Sequence, residues 1–520
     1  MAKRHLLAVF EFSGGERHGF TASSHPVQVT LPGESSAMSF AVGISVGELP
    51  MRATATLGGG SSSSPSFVLS HPLVADLWTQ RYASPMQAAI VTLWWWRDDR
   101  GLRPVDELYR GGVSSESWDL GAVPATVSGS LGTPFRVDDV PFPPNKIGDE
   151  GRFPDAPVDS YDHAVPVIYG VARGVPLRAI SDITVVPGPG VYIDLLVAGH
   201  AVASGSFQVY RDGALVTNNT PVTGIDGRGA PYTYTRILAS DYAGGGSLYA
   251  QVVFGRYDGP TPLSSMIKNL GDVIFDLVMS YGRWRLNDFD QRQFRSELVK
   301  LNRFQVGFYA DQAEGTLYDF LSSRLAGQFG FAVSSNGKFG IEPTLWPDWQ
   351  GQEPVAKLIE GQNAHREGDV VASGADSIVT EVEVDYRFDG YNGGTTQSVH
   401  LDAATDATAR RSASRWNARY STSVLARLSA PDVSGGVAAS TFRDSSAYLV
   451  GVDHLNRFAG IRYHVEYRGL PDYFWELPLM ALVHVTDADY GWDEEPMLIE
   501  GVRPDEDGTC DVLLVSAKAV

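Results

Sequence analysis

Residues 302–340 read NRFQVGFYADQAEGTLYDFLSSRLAGQFGFAVSSNGKFG, and this stretch decides the fold because it joins a strand, an amphipathic helix and a hairpin. The apolar, β-prone run from Gln305 to Ala310 predicts the strand. Helical spacings then place four apolar side chains on one buried stripe: Leu317, Phe320, Leu321 and Leu325. Asn336-Gly337 is the pair preferred in a two-residue hairpin turn. The stretch predicts an α/β unit and contains no catalytic signature.

Size and composition predict a β-rich protein of several domains. The chain has 520 residues, of which 43% are hydrophobic and 11% aromatic. At roughly 150 residues per domain this length gives about three or four domains. The 55 glycines and 30 prolines indicate many turns and short strands. This composition excludes an intrinsically disordered chain.

Charge and cysteine content exclude several kinds of site. The formal net charge of −20 disfavours a surface that grips nucleic acid, since phosphate binding needs Lys and Arg. Cys510 is the single cysteine, which excludes an intramolecular disulfide and a thiolate-held zinc or iron–sulfur site within one chain. We expect it to be buried and inert in a strand. No stretch has the ~20 apolar residues that span a bilayer, and Leu6 to Phe10 is too short for a signal sequence. We therefore expect folding in a reducing cytoplasm.

The N-terminal residues to about Asp155 predict strands, interrupted by a polar loop at Gly58 to Ser66. Three tryptophans stand in succession at positions 94, 95 and 96, before the turn sequence DDRG. Because side chains alternate along a strand, at least one of these indoles must bury against another layer or subunit. The cluster is therefore either core and interface, or a platform on which sugars stack.

The proline-rich passage from Val140 to Pro166 predicts an ordered connector. Short strands separated by turn signals follow to about Pro260, which predicts a small inserted barrel or sandwich. It is either a spacer on the outside of an assembly or an oligosaccharide-binding module. From Pro262 the periodicity becomes helical, with Ser264 or Ser265 as the cap of one helix and Asn287 or Asp288 as the cap of another. The first helix carries Ile267, Leu270, Ile274 and Leu277.

The last third of the chain returns to strands. SIVTEVEVDYRF and TTQSVHLD predict a hairpin that turns between Asp389 and Gly394, and a helix is expected from about Ser445 to Phe458. The segment RRSASRWNARYS is either a nucleic-acid patch or a basic surface that meets an acidic neighbouring subunit or solvent. The acidic run Asp487 to Glu495 does not fit the spacing of a calcium loop and predicts a hairpin turn.

The sequence contains no motif of a known catalytic or cofactor site. It has no P-loop, no G-x-S-x-G elbow, no H-E-x-x-H and no C-x-x-C pair. The histidines are scattered, among them His163, His200, His454 and His484, and His484 is predicted as a strand residue. We therefore expect a protein that is not an enzyme, with no catalytic residue, no cofactor and no metal ligand.

The strand, helix and hairpin of residues 302–340 resemble the α/β docking domain of baseplate hub, or tail-tip hub, proteins of long-tailed, siphophage-like bacteriophages. The helix and strands at the C-terminal end are similar to the last part of the same fold. The resemblance implies an α+β, β-rich, multi-domain fold with two β tube-like hub domains, a central α/β lobe and an inserted small β barrel or sandwich. The expected domains are 1–160, 161–261, 262–350 and 351–520, with the hub domains at the two ends.

The same resemblance implies a structural virion protein, made in the host cytoplasm and placed at the tail tip. It implies a homotrimer whose six β domains close a ring between the hexameric tail tube and the three-fold tip. The implied partners are the distal tail protein, the tail tube, the tape measure protein and central fibre or tip proteins. Genomic DNA is expected to pass through the lumen without specific binding, and contact with the host envelope is indirect.

Two other functions stay open on the sequence alone. A cell-wall or polysaccharide hydrolase needs two carboxylates about 5 to 10 Å apart, and the 61 Asp and Glu residues do not single out a pair. A receptor-binding module would place host glycans on the inserted residues 166–260.

Overall fold

The computed structural model describes residues 4–47, 49, 52–53, 65–83, 85–97, 105–132, 140–186, 188–242, 247–259, 262, 264–282, 291–335, 339–373, 378–379, 381–402, 419–423, 446–505 and 507–518. Several predicted features lie outside these residues: the turns at 98–101 and 336–337, the polar loop at 58–64, the helix cap at 287–288 and most of the arginine-rich segment 410–421. Among the described residues, no helix has the length and apolar character needed to cross a membrane.

The N-terminal residues form a nine-stranded sheet in the order β3-β4-β2-β1-β8-β9-β10-β7-β5. The strands of this part of the chain are β1 (Arg4–Glu11), β2 (Arg17–Thr21), β3 (Val27–Val29), β4 (Met38–Val42), β5 (Ile44–Val46), β6 (Arg52–Ala53), β7 (Ser66–Ser70), β8 (Ile90–Arg97), β9 (Val105–Asp119) and β10 (Thr126–Gly132). Helix α1 (Leu73–Gln80) lies between β7 and β8. Alternation along β1 sends Leu6, Ala8 and Phe10 into the main core, which fixes the register of the sheet.

The three consecutive tryptophans lie on β8 and divide between the two faces of the sheet. Trp95 is fully buried in the main core, where its ring centroid lies 6.5 Å from that of Trp475. Trp94 and Trp96 are partly buried on the other face, against a small cluster that includes Leu7 and Val9. The prediction that at least one indole is buried against another layer is confirmed.

Residues 167–254 form two layers of strands around one core. The strands are β11 (Val167–Tyr169), β12 (Val171–Pro176), β13 (Arg178–Ala179), β14 (Tyr192–Ala198), β15 (Phe207–Arg211), β16 (Ala214–Asn219), β17 (Val222–Ile225), β18 (Pro231–Leu238) and β19 (Leu248–Phe254), with a short helix α2 (Ala239–Tyr242). One layer has the order β13-β14-β18-β17 and the other contains β16-β15-β19-β12. Leu195, Val209 and Val253 from the two layers meet in the shared core.

Helices and short strands follow in the centre of the chain. They are α3 (Leu270–Tyr281), α4 (Gln291–Leu301), β20 (Phe308–Ala310), α5 (Leu317–Asp319), a π-helical stretch (Phe320–Ala326), α6 (Gly327–Phe329), β21 (Phe331–Ser335) and β22 (Phe339–Pro343). All four residues of the predicted stripe, from Leu317 to Leu325, are buried, which confirms it. A capping box starts this helix, because Thr316 Oγ1 accepts from the Asp319 amide at 3.0 Å and the Asp319 carboxylate accepts from the Thr316 amide at 3.1 Å.

Two predicted boundaries in this region are wrong. Helix α3 starts after Asn269, and not after Ser264 or Ser265. The reason is pairing outside the helix, since Met266 forms a β-bridge with Tyr257 and Asn269 forms one with Gln305, which hold the preceding backbone extended. The strand expected from Gln305 begins only at Phe308. The buried residues expected within the helix, Leu270, Ile274 and Leu277, are confirmed.

The C-terminal residues form a second large sheet in the order β23-β29-β30-β31-β28-β24. The elements of this part are β23 (Ala356–Ile359), β24 (His365–Ala372), β25 (Glu381–Asp389), β26 (Gly394–Asp402), β27 (Arg419–Ser423), α7 (Ser446–Phe458), β28 (Tyr463–Pro471), β29 (Leu482–Asp487), β30 (Trp492–Pro504) and β31 (Thr509–Ser516). The predicted hairpin with its turn between Asp389 and Gly394 is confirmed as β25 and β26. Cys510 is fully buried on β31, also as expected.

Part of the range 351–520 packs on the central helices rather than on the C-terminal sheet. Val384 of β25, Val399 of β26 and Val450 of α7 lie in the same core as α3 and α4. Strand β25 also pairs in parallel with β12 through Arg173 and Asp389. Strands β25 and β26 therefore extend one layer of the unit 167–254 into a continuous sheet.

The N-terminal and C-terminal sheets repeat one strand order. Six neighbouring strands of the first sheet are β1-β8-β9-β10-β7-β5, and the second sheet is β23-β29-β30-β31-β28-β24. If the six strands of each sheet are numbered in chain order, both sheets have the order first, fourth, fifth, sixth, third, second. A 3-10 turn precedes the fourth strand in both, at Met86–Ala88 and at Asp472–Glu476. The first strand differs, because β1 is antiparallel to its neighbour whereas β23 is parallel.

The repeat extends to an irregularity in the fifth strand. In the first sheet Val113 and Ser115 of β9 pair with successive residues of β10, so Ser114 is an extra residue. In the second sheet Ile499 and Gly501 of β30 pair with successive residues of β31, so Glu500 is an extra residue. A β-bulge at the same place in two sheets of the same order indicates that they are two copies of one structural unit.

Candidate functional site: the Arg52 junction between the two sheets

The two repeated sheets are joined by a strand of only two residues. Strand β6 leaves the N-terminal sheet between β5 and β7 and pairs with β30 of the C-terminal sheet. Ala53 lies opposite Gly501, and Arg52 lies opposite Val502. The N-terminal chain thus completes an edge of the C-terminal sheet, which is strand addition within a single protein.

Arg52 anchors this strand through its guanidinium. Nη2 lies 2.6 Å from Oε1 of Glu342, and Nε lies 3.2 Å from Oε2, so the ion pair has two points of contact. The same guanidinium donates to the carbonyl oxygens of Trp475 and Leu477. Glu342 Oε1 also accepts from the Leu479 amide at 2.8 Å. A two-point pair of this kind fixes orientation as well as distance.

The junction is shielded from water and brings three parts of the chain together. The side chains of Arg52 and Glu342 are only 13% and 17% exposed. Glu342 lies on β22 of the central region, whereas Trp475 belongs to the 3-10 turn before β29 and meets Trp95 of the N-terminal sheet edge-on. The buried side chains of both sheets form one continuous cluster. The junction therefore holds the two repeated sheets in a fixed relation.

A second polar network attaches residues 167–254 to helix α3. The Tyr169 hydroxyl donates to Asp276, and Arg256 Nε lies 2.9 Å from the same carboxylate. Arg256 also donates to Tyr281 at 3.2 Å and to Ser280 at 3.0 Å. Burial raises the pKa of Tyr169 well above its ordinary value and that of Tyr281 to about 12, so both hydroxyls stay protonated. The network therefore links strand β11 and Arg256 to one side of helix α3.

A cavity of about 790 Å³ lies between helix α7 and residues 345–350. Trp346, Trp349 and Arg303 line it, together with two charged groups, the partly buried Asp453 and the buried Arg462. Asp453 accepts from the Trp346 amide at 2.5 Å, and burial raises the pKa of its carboxyl. Arg462 donates to the carbonyls of Ser516 and Ala517 at 3.1 and 2.5 Å. Both charged groups hold backbone atoms in place, which accounts for them without a catalytic role.

The remaining residues singled out in the sequence lie apart from the junction. The acidic run starting at Asp487 is a hairpin between β29 and β30, as predicted, and Asp487 caps its 3-10 turn by accepting from the Asp489 amide at 3.0 Å. His484 is a strand residue on β29, also as predicted. His200 is buried, and its Nε2 accepts from the Ile168 amide at 2.9 Å. Within the described ranges no three His, Cys, Asp or Glu side chains are grouped as metal ligands.

Sequence reasoning did not find Arg52. The residue lies just before the polar loop at 58–64, in a segment with no periodic pattern, and a two-residue strand has none to show. Its partners Glu342 and Trp475 are distant in the chain, so no spacing signal connects them. The only local indication of the junction is an arginine between two predicted strands, and arginines in such places are common at protein surfaces.

No family model and no curated protein matches this chain. Among solved structures, the chain is similar to the tail protein from Neisseria meningitidis MC58, at 12% identity and a TM-score of 0.26, over 68% of this chain and 97% of that one. It is similar to the prophage MuSo2 43 kDa tail protein from Shewanella oneidensis, at 14% identity and a TM-score of 0.26, over 68% of this chain and 97% of that one. It is also similar to the prophage tail protein gp18 from Listeria monocytogenes EGD-e, at 9% identity and a TM-score of 0.24, over 68% of this chain and 94% of that one. TM-scores of this size do not establish a common overall fold.

Proposed function

We propose that this chain is a structural protein of a bacteriophage tail, a trimeric hub at the tail tip that joins the hexameric tail tube to a three-fold tip or fibre. The observation that carries the proposal is the repeated strand order of the N-terminal and C-terminal sheets. Three chains with two copies of one unit present six equivalent sheets. Six such units match a hexameric tube on one side, while the chain itself keeps three-fold symmetry for the other side.

The Arg52 junction supports the same arrangement. A ring of six units needs the two units of each chain at a fixed angle, because an error in one chain would be repeated in all three. The strand addition at Arg52–Ala53 and the two-point pair with Glu342 supply that constraint. Ring closure also removes exposed strand edges that would otherwise pair at random.

The negative net charge of the chain is compatible with a channel through which DNA passes without being bound. The net charge of −20 allows Asp and Glu to predominate around a lumen, where they repel the DNA backbone over about 8 Å at physiological salt. In this role the distal tail protein, tail tube, tape measure protein and central fibre or tip proteins are the neighbours. A lumen richer in Lys and Arg in an assembled ring would remove this part of the proposal.

The hydrolase alternative loses the sugar platform on which it depended. Trp95 is fully buried, and Trp94 and Trp96 are partly buried against Leu7 and Val9, so the three indoles do not form one exposed surface. The raised pKa of Asp453 belongs to a carboxyl that already accepts from the Trp346 amide. No described feature favours this function over the structural one.

The proposal is tested by locating the protein on particles and by weighing it in solution. Gold-labelled antibody should mark the distal tip of purified tails, and the purified protein should have three times the mass of one chain. Images of that trimer should show six similar units around a channel. Label absent from every particle, with the protein found only in the soluble lysate, would reject the tail role.

A further inference from the structure

Strands β9 and β30 are the fifth strands of the two repeated sheets, and along one edge their neighbouring strands differ. Each pairs along its first half with the fourth strand and along its second half with the sixth. The last contact with the fourth strand is also the same in both. Val113 donates to the Ala89 carbonyl at 3.2 Å, and Ile499 donates to the Ala481 carbonyl at 3.0 Å. Val113 and Ile499 are therefore equivalent positions.

The residues that follow Val113 and Ile499 show which positions of β9 correspond to the positions of β30 that pair with β6. After the bulged residues Ser114 and Glu500, Ser115 is equivalent to Gly501 and Glu116 to Val502. Gly501 and Val502 are the residues on which Ala53 and Arg52 add as a strand. On the corresponding side of Ser115 and Glu116, the described part of the chain provides no strand.

The side chain of Glu116 provides an independent sign of a missing partner. Its Oε2 atom is buried, and none of the described residues reaches it with a hydrogen bond. A buried carboxylate oxygen without a donor is unfavourable, because it has lost its hydration and gained no hydrogen bond in return. At the equivalent place in the second sheet, the added strand carries a guanidinium, that of Arg52. A strand with a cationic side chain near Glu116 would donate to this oxygen, as the Arg52 guanidinium donates to the Glu342 carboxylate beside the second sheet.

We propose that Ser115 and Glu116 accept a strand from a second copy of this chain. Within one chain the first sheet supplies β6 to the second sheet, whereas the described residues supply no strand in return to the first. In a ring of alternating units, the first sheet of each chain adjoins the second sheet of the next chain. A neighbouring copy is thus the source that gives every sheet the same added strand. This inference rests on the trimeric ring proposed above.

Hydrogen exchange of the full chain tests the proposal directly. The amides of residues 114–118 should exchange at least tenfold more slowly in the trimer than in the protein diluted until it dissociates. Equal rates in a demonstrated trimer would overturn the strand addition and leave the trimer standing. A wild-type protein that stays monomeric at every concentration would overturn both.

Two substitutions provide a second measurement. Ser115→Lys places a charge at the edge, and Glu116→Gln removes the charge of the carboxylate whose Oε2 atom is buried, so each should weaken trimer formation about tenfold or more. Thr223→Lys is the matched control, because Thr223 is an exposed hydroxyl residue on the edge strand β17. Circular dichroism and the thermal midpoint check that the variant monomers are folded. Folded Ser115→Lys and Glu116→Gln variants that assemble as well as Thr223→Lys would contradict the proposal.

Discussion

Arg52 forms a two-point ion pair with Glu342 across 290 positions of the chain, with 2.6 Å between Nη2 and Oε1. The pair joins a two-residue strand of the N-terminal region to strand β22 of the central region, beside the C-terminal sheet. Since both side chains are mostly buried, removing one leaves a charge without its partner in a poorly solvated place. The pair is therefore a determinant of how the two repeated sheets are held.

Arg52→Met should lower the free energy needed to open the edge of β30 by about 3 kcal/mol, because Glu342 then stays buried and unpaired. The measurement is native-state hydrogen exchange at Gly501 and Val502. Arg236→Met is the matched control, since Arg236 pairs with Asp194 at 2.6 Å but its side chain is 49% exposed. That substitution should cost less than about 1 kcal/mol. Similar losses in the two variants would show that burial does not distinguish the pairs.

Gly271→Ala should lower the thermal midpoint because the backbone of helix α4 lies directly against this glycine of α3. A Cβ atom at Gly271 would lie 2.0 Å from the Leu298 carbonyl oxygen, so the helices must move apart. Overpacking of this kind costs about 1–3 kcal/mol. Gly327→Ala is the control, since nothing lies within 4 Å of its Cβ position and its backbone is helical. It should be neutral or stabilising by up to about 1 kcal/mol. Equal midpoints for the two variants would contradict this prediction.

Local pattern was sufficient for some elements of this fold. The stripe from Leu317 to Leu325, the hairpin at Asp389 to Gly394 and the burial of one indole among the three tryptophans all follow from periodicity and alternation, and all are confirmed. These features depend on side chains that are close in sequence. The same reasoning put the start of α3 at Ser264 or Ser265, where β-bridges instead hold the chain extended.

The junction and the repeat were beyond sequence reasoning for a physical reason. Strand β6 has two residues, so it shows no alternation, and its pairing is decided by the free edge of β30 far along the chain. The two repeated units share strand order and a bulge, but these are properties of backbone pairing and leave no fixed residue pattern. Strand β24, with the polar sequence HREGDVVA, was also not anticipated, because an exposed edge strand needs no apolar face.

Asp276→Ala should loosen the attachment of residues 167–254 to helix α3. The substitution removes the acceptor of the buried Tyr169 hydroxyl and the carboxylate partner of Arg256, which keeps only its contacts with Tyr281 and Ser280. Amides of β11 and β19 should then exchange faster by a factor that corresponds to about 2 kcal/mol. Asp272→Ala is the control, because Asp272 lies on the exposed side of the same helix. Unchanged exchange in Asp276→Ala would show that apolar packing alone holds this unit in place.

His200 should make the protein less stable in mild acid. Burial lowers the pKa of His200 from 6.5 to about 4, so the folded chain holds the ring neutral while the unfolded chain binds a proton below pH 6.5. Stability is therefore full above pH 6.5 and falls as the pH drops from about 6.5 to about 4, by up to about 3 kcal/mol. Burial lowers the pKa of His454 to about 4 as well, which adds a loss of stability of the same sign.

In His200→Gln, the glutamine carbonyl can accept from the Ile168 amide but does not titrate, so the fall in stability between pH 6.5 and 4 should shrink by about half. Thr223→Gln, which places a glutamine at an exposed position of β17, should keep the wild-type slope. The measurement is the urea midpoint at pH 7.5, 6, 5 and 4, and a wild-type slope in His200→Gln would assign the acid sensitivity to other groups.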